Sequence, residues 1–324
     1  MRGWLSKPGE NWWRGKTGVK AGYRVLIFFA LTYLAPITFG FFLGVLLRLL
    51  AHMVAIPHNM ALPAHHLTPQ MLKDSKYITS SAIAFVVALV ELVTISLSVL
   101  IIAWLEGNTI SSYFLSQKKR FKFFVFGFVC ASAVTLPFAV LLHFVHKNQP
   151  YIDPSIIVVG IFLVLISCLM IGFSEELMFR GYIQKTLDSA IGFWPALVIS
   201  SVLFGAFHLS NLSTAMVIHH PFIAFGYVFE HACMGVLLCV GLRQMGTLWW
   251  PIGFHAAWDF FLIAAKTGVG YNIMAPLHLI PNAHSSTFFI GLGFVIFGLF
   301  QLILAALLMF FKRAPRMVLA QNAA

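Results

Sequence analysis

Acidic residues are scarce in this chain, with ten Asp and Glu among 324 residues against 21 Lys and Arg. Charged residues of both signs make up only 10% of it, and 60% is apolar. A soluble domain is about a quarter charged and about 45–50% apolar, so an ordinary soluble enzyme is excluded. A disordered or collagen-like chain is excluded too, because glycine shows no period and aromatics reach 15%. Cysteine is nearly missing. Cys130, Cys168, Cys233 and Cys239 all lie in apolar runs and form no C-x-x-C pair, which argues against a disulfide framework or a thiolate metal site. They read as small buried residues. Ten-residue alternating segments are missing as well, which argues against a membrane β-barrel. There is no internal repeat and no low-complexity tract.

What is present in quantity is continuous apolar sequence. A spanning helix needs about 20 mainly apolar residues, and eight windows qualify: 25–47, 81–105, 123–145, 155–176, 193–210, 221–242, 247–265 and 288–311. The expected fold is all-α, a polytopic transmembrane helical bundle of about eight spans. Four regions follow: a basic N-terminal segment 1–24, N-terminal transmembrane helices within 25–150, a motif-bearing core 151–270, and 271–324 with a loop, the last span and a basic tail. The run after Arg24 is too long for a typical signal-peptide core and has no alanine-x-alanine site beside it, so it is expected as a retained first span. The longest loop is expected at 48–80. Its His52, His58, His65 and His66 show no regular ligand spacing, which favours a plain exterior loop over a metal tract.

The formal charge of +11 does not call for nucleic acid, because most basic residues fall at span ends, where they suit cytoplasmic loops beside anionic lipid. One side of the expected bundle carries Arg2, Lys7, Arg14, Lys16, Lys20, Arg24, Lys118, Lys119, Arg120, Lys122, Arg180, Lys185, Arg243, Lys312, Arg313 and Arg316, a total of 16. The other carries Arg48, Lys73, Lys76, Lys147 and Lys266, a total of 5. That imbalance predicts a multi-pass protein of the cell membrane with both termini cytoplasmic.

Ionisable groups inside lipid are costly and usually face a cavity. The apolar runs hold Glu91, His143, Glu175, Glu176, His208, Glu230, His231, His255 and Asp259, and the later ones cluster in three patterns. The first is Ser174-Glu175-Glu176-Leu177-Met178-Phe179-Arg180. Adjacent helical carboxylates point about 100° apart, so the two glutamates have separate roles. Arg180, four residues after Glu176, can pair with it, which leaves Glu175 to face a cavity. The second is Phe204-Gly205-Ala206-Phe207-His208. The third ends in His255-Ala256-Ala257-Trp258-Asp259, with His255 and Asp259 on one helical face. If the helix through Glu175 turns near Ile191-Gly192 and the next runs back, Glu175 and His208 each lie about 24 Å from the turn, at matching depth.

Two chemistries fit such a cluster. Glu175 with His208 can take a proton from water while His255 and residue 259 stabilise the resulting oxyanion. Alternatively, Glu175, His208, His255 and Asp259 can hold a metal whose bound water attacks. The helical H-E-x-x-H signature is missing, and no serine or cysteine stands as an obvious nucleophile beside the cluster.

In order, E-E-x-x-x-R at 175–180, F-x-x-x-H at 204–208 and H-x-x-x-D at 255–259 resemble the three motifs of the CAAX protease and bacteriocin-processing (CPBP, Abi) family of intramembrane endopeptidases. The stretch Gly246-Thr247-Leu248-Trp249-Trp250-Pro251-Ile252 resembles that family's lead-in to the last motif. The resemblance covers roughly 155–265. It implies a helical bundle that cuts a peptide bond in or near the membrane, with membrane lipid and a peptide or protein substrate, possibly lipidated, as partners. It implies Glu175 as the catalytic glutamate working on water with His208. Glu176 and Arg180, with Phe204, serve as structural support, and His255 with Asp259 forms the oxyanion or positioning pair. It favours a glutamate-type site without cofactor over zinc at Glu175, His208, His255 and Asp259. One departure stands out: Asp259 occupies a position where many members carry Asn, and ionised Asp only accepts hydrogen bonds whereas Asn also donates.

A rival of another class is a non-catalytic membrane protein, either an immunity or scaffold relative or a proton-coupled transporter. The intact Glu175, His208 and His255 set, and the lack of repeat-related broken helices, favour the enzyme. Glu91 is expected to pair with another span or line the cavity. Glu230-His231 is expected to pair with itself or across helices, or to line substrate access. Trp249, Trp250 and Trp258 are expected at the interface or in packing. Gly172, Gly181, Gly205 and Gly253 are expected to permit close helix approach.

Overall fold

The computed structural model describes residues 22–32, 69–106, 120–145, 154–267 and 283–310. All regular elements among them are helical. The short α1 covers Gly22–Thr32, α2 Pro69–Glu106, α3 Arg120–Val145 and α4 Pro154–Glu176. The chain continues without a break through a π-helical stretch, Leu177–Gln184, into α5, Lys185–Ile191. After Gly192 comes α6, Phe193–Phe207, then one 3-10 turn, His208–Asn211, and the short α7, Thr214–His219. The last three helices are α8, Pro221–Met245, α9, Trp249–Thr267, and α10, Ala283–Met309.

Six of these stretches are long and apolar enough to cross a membrane: Ser81–Trp104, Arg120–Pro137, Val158–Ile191, Phe193–Asn211, Pro221–Met245 and Phe288–Met309. The chain is a multi-pass helical membrane protein. Against the eight expected windows, the first coincides in part with α1, and its remainder lies outside the described residues. The seventh coincides with α9, a helix of 19 residues that falls short of the six because it carries His255, Asp259 and Lys266. A helix shielded by its neighbours need not be apolar enough for lipid, and residues 251–258 of α9 are all buried.

Two boundaries differ from expectation. The expected loop at 48–80 already holds helix from Pro69 onward, and its earlier part, with all four loop histidines, lies outside the described residues. The expected 155–176 span runs on to Ile191, because no proline interrupts it before Gly192 takes up its positive φ. Arg180, counted among loop charges, is therefore inside a helix and 1% exposed, so it says nothing about which face is cytoplasmic.

Helix α9 is the axis of the packing. It lies against α3, α4 and α8, while α8 also packs on α6 and α10, and α2 packs on α4. The crossing of α3 and α9 depends on two facing glycines. A Cβ on Gly253 would run into the Phe124 carbonyl, and one on Gly127 into the Trp250 carbonyl. Gly172 and Gly205 likewise sit against the backbones of Ala256 and Val228, whereas Gly181 meets mainly side chains, of Leu177 and Leu248. Trp250 and Trp258 are packing residues, 1% and 3% exposed, and form a ladder with Phe254 at ring separations of 5.0 and 5.6 Å. The tight turn at 192 needs a positive φ of 85°, which glycine adopts freely. It folds α6 back antiparallel to the long helix and brings residue 208 toward the depth of residue 175.

Candidate active site

Glu175 and Glu176 end α4 just where the helix widens into its π-helical turn, a local geometry that recurs at functional sites. All eight residues of that turn are buried. The two carboxylates take different partners. Glu176, fully buried, accepts from Arg180 Nη1 at 3.0 Å and from His255 Nδ1 at 2.9 Å, both at Oε1. Arg180 also donates from Nη2 to the Gly235 carbonyl of α8 at 3.3 Å, and its guanidinium lies 4.2 Å from the centre of the Phe204 ring. The ion pair thus ties α4, α8, α9 and α6 together. Losing one member of such a pair strands a buried charge, which costs about 3–5 kcal/mol.

Glu175 faces two imidazoles. Its Oε2 is 3.5 Å from His208 Nε2 and 3.9 Å from His255 Nε2, and makes no hydrogen bond among the described residues. Both rings are held by their other nitrogen. His208 Nδ1 lies 2.9 Å from the Phe204 carbonyl. A carbonyl only accepts, so Nδ1 carries the hydrogen and Nε2 is turned to Glu175. His255 Nδ1 likewise donates to the Glu176 carboxylate. The two adjacent glutamates therefore bracket His255, one at each ring nitrogen. Asp259 Oδ2 stands 3.4 Å from His255 Nε2 with its side chain 28% exposed, on the more open side of the site.

Phe204 is the hub of the aromatic wall. It lies 4.6 Å from His208, 5.7 Å edge-on from His255 and 5.0 Å edge-on from Phe179. The structure thus brings Glu175, His208, His255 and Asp259 together, with Glu176, Arg180 and Phe204 directly behind them. His143 has a side chain outside the described residues. Among those described, no group of three or more His, Cys, Asp and Glu has the arrangement to hold a metal ion.

Two further groups border the cluster. Glu91, on α2, accepts from Ser174 Oγ at 3.2 Å, and its carboxyl is within electrostatic reach of Glu175, His255 and Asp259. Sequence periodicity cannot register a helix more than 80 residues away; the only signal was an acid inside an apolar run. Glu230 and His231, adjacent on α8, pair at 2.9 Å. Glu230 also accepts from Gln301 Nε2 of α10, a glutamine that hydropathy alone passes over.

A helical membrane bundle with a buried carboxylate set against two imidazoles defines the class. Within it, residues 156–261 match the family model described as type II CAAX prenyl endopeptidase Rce1-like, the family that the three motifs resemble. The match covers every motif and implies a CAAX-type intramembrane protease. No curated protein and no solved structure matches the chain.

Proposed function

We propose that the protein is an intramembrane endopeptidase in which Glu175 activates water for attack on a peptide bond. The observation that supports this most is the convergence on Glu175 Oε2 of two Nε2 atoms at 3.5 and 3.9 Å, both aimed by hydrogen bonds at their Nδ1 atoms. A water bound between Glu175 and His208 gives its proton to this pair as its oxygen adds to the scissile carbonyl carbon. The carbonyl oxygen gains the negative charge. His255 Nε2, when protonated, donates to it, with Glu176 and Arg180 holding the ring from behind. Collapse of the tetrahedral species breaks the C–N bond, and the proton taken from water goes to the leaving amine. Asp259, 3.4 Å from His255 Nε2, steadies the charge of the protonated ring; as a carboxylate it donates nothing to the oxyanion. No metal enters this scheme.

The substrate class follows from the family description, prenyl endopeptidases of the CAAX type. A C-terminal peptide with a lipidated cysteine is anchored in the bilayer and delivers its bond at membrane depth. The excess of Lys and Arg on one side of the expected bundle supports the reading that both termini are cytoplasmic. The test is purified protein in lipid nanodiscs, given a farnesylated CAAX peptide and its unlipidated twin, with and without chelator, and products read by mass spectrometry. Release of an intact C-terminal tripeptide from the lipidated peptide, unaffected by chelator, is the expected result. Activity lost to chelator and restored by zinc would overturn the metal-free mechanism.

A further inference from the structure

His208 needs more than its motif to stay aimed at Glu175. It opens the 3-10 turn that ends α6, and the one hydrogen bond at Nδ1 fixes a single point of the ring. Two neighbouring rings pack against it. Phe204 lies at 4.6 Å, tilted by 54°, and His231 of α8 lies 4.1 Å away at an interplanar angle of 35°. His231 is in turn anchored. Its Nδ1 is 2.8 Å from the Tyr227 carbonyl and 2.9 Å from Glu230 Oε2, both acceptors, so Nδ1 carries the hydrogen. The Tyr227 ring packs against it at 4.2 Å, tilted by 48°. The contacts run from His208 through His231 to Tyr227 and Glu230 on α8. Glu230 is braced by Gln301 of α10, a residue fully buried on a helix that otherwise exposes Phe289, Ile296 and Ile303.

We propose that His231, held by Glu230 and Tyr227 and braced through Gln301, is a positioning residue that fixes the ring and tautomer of His208. This rests on the proposed role of His208. It also extends the catalytic unit to α10, beyond the segment that matches the family model. A residue 231 whose ring did not bear on His208 would leave the tautomer of its neighbour untouched. Misplacing a catalytic group by about 1 Å can cost on the order of a hundredfold in rate, so an active enzyme lacking this clamp loses about tenfold to a hundredfold in kcat with KM little changed.

The deciding experiment is nitrogen-15 NMR of histidine-labelled protein in lipid nanodiscs, with the His208 signals assigned by their loss in His208→Gln. Wild type is expected to show His208 with its hydrogen on Nδ1. In His231→Ala the signals shift toward a tautomer mixture. The double variant His231→Phe with Glu230→Gln, which keeps a stacked ring and strands no charge, restores the Nδ1–H form and keeps the inference testable if His231→Ala folds poorly. Unchanged His208 signals in His231→Ala would overturn the proposal, as would a double variant in which the tautomer is lost just as fully. The readout needs no turnover. Failure of wild type to cleave the farnesylated peptide would count against the proposed function alone.

Discussion

Helices α8 and α10 are both apolar spans of similar length, yet they behave as opposites. Of the apolar stretch of α8, 67% is buried in the protein; of that of α10, 17%. Lipid is as apolar as leucine, so hydropathy cannot sort inner helices from outer ones. What sorts them is buried polarity. Helix α8 carries Glu230 and His231, and a Cβ on its Gly235 would press on Ser201 of α6. Helix α10 carries one buried amide, Gln301, pointing at Glu230. The same contrast separates the cluster around α9 from the lipid-facing side of α4, where Phe162 is 60% exposed four turns from Glu175. Inside, Glu176, Arg180, His208, His255, Glu230 and His231 are each held by a partner at a stated atom; outside, side chains meet lipid and are exchangeable.

That contrast can be broken from the inside outward. Glu175→Gln keeps the shape and removes the base; cleavage of the farnesylated peptide is expected to fall by about 10²–10⁴-fold, with unchanged gel-filtration behaviour showing that the fold survives. Arg180→Ala strands the Glu176 charge and should destabilise the bundle by about 3–5 kcal/mol, read as a loss of folded protein in detergent and a lowered melting temperature. A fully stable, fully active variant would show that the pair does not hold the site. Gly253→Ala drives a methyl into the Phe124 carbonyl and should cost about 1–3 kcal/mol by forcing α3 and α9 apart. Asp259→Asn keeps an acceptor for His255 and adds a donor, so activity should stay within about tenfold of wild type; a loss as deep as that of Glu175→Gln would make the carboxylate itself essential. Phe162→Leu, on the lipid face, should change stability by no more than about 0.5 kcal/mol.

Much of this was legible in the sequence, because the bundle is built from long apolar runs and the site from short-range spacings. The Glu176–Arg180 pair is one helical turn, and the matched depth of Glu175 and His208 follows from the turn at Gly192. The rest depended on contacts between distant segments. That His255 is clasped by both glutamates, at opposite nitrogens, required the α4–α9 crossing, which is set by Gly172 against Ala256. That Arg180 is buried required knowing that Phe204 of α6 and Gly235 of α8 close over it. Glu91 and Glu230 were visible as acids in apolar runs and Gln301 was passed over, because one-dimensional periodicity does not say which helix a polar side chain faces.

The most direct measurement of the central claim is cleavage of the farnesylated CAAX peptide by Glu175→Gln and wild-type protein, side by side in nanodiscs. The expected result is tripeptide release by wild type and none above background from a folded Glu175→Gln variant. Release by that variant at the wild-type rate would contradict the claim, because the carboxylate that both imidazoles face would then have no part in activating water.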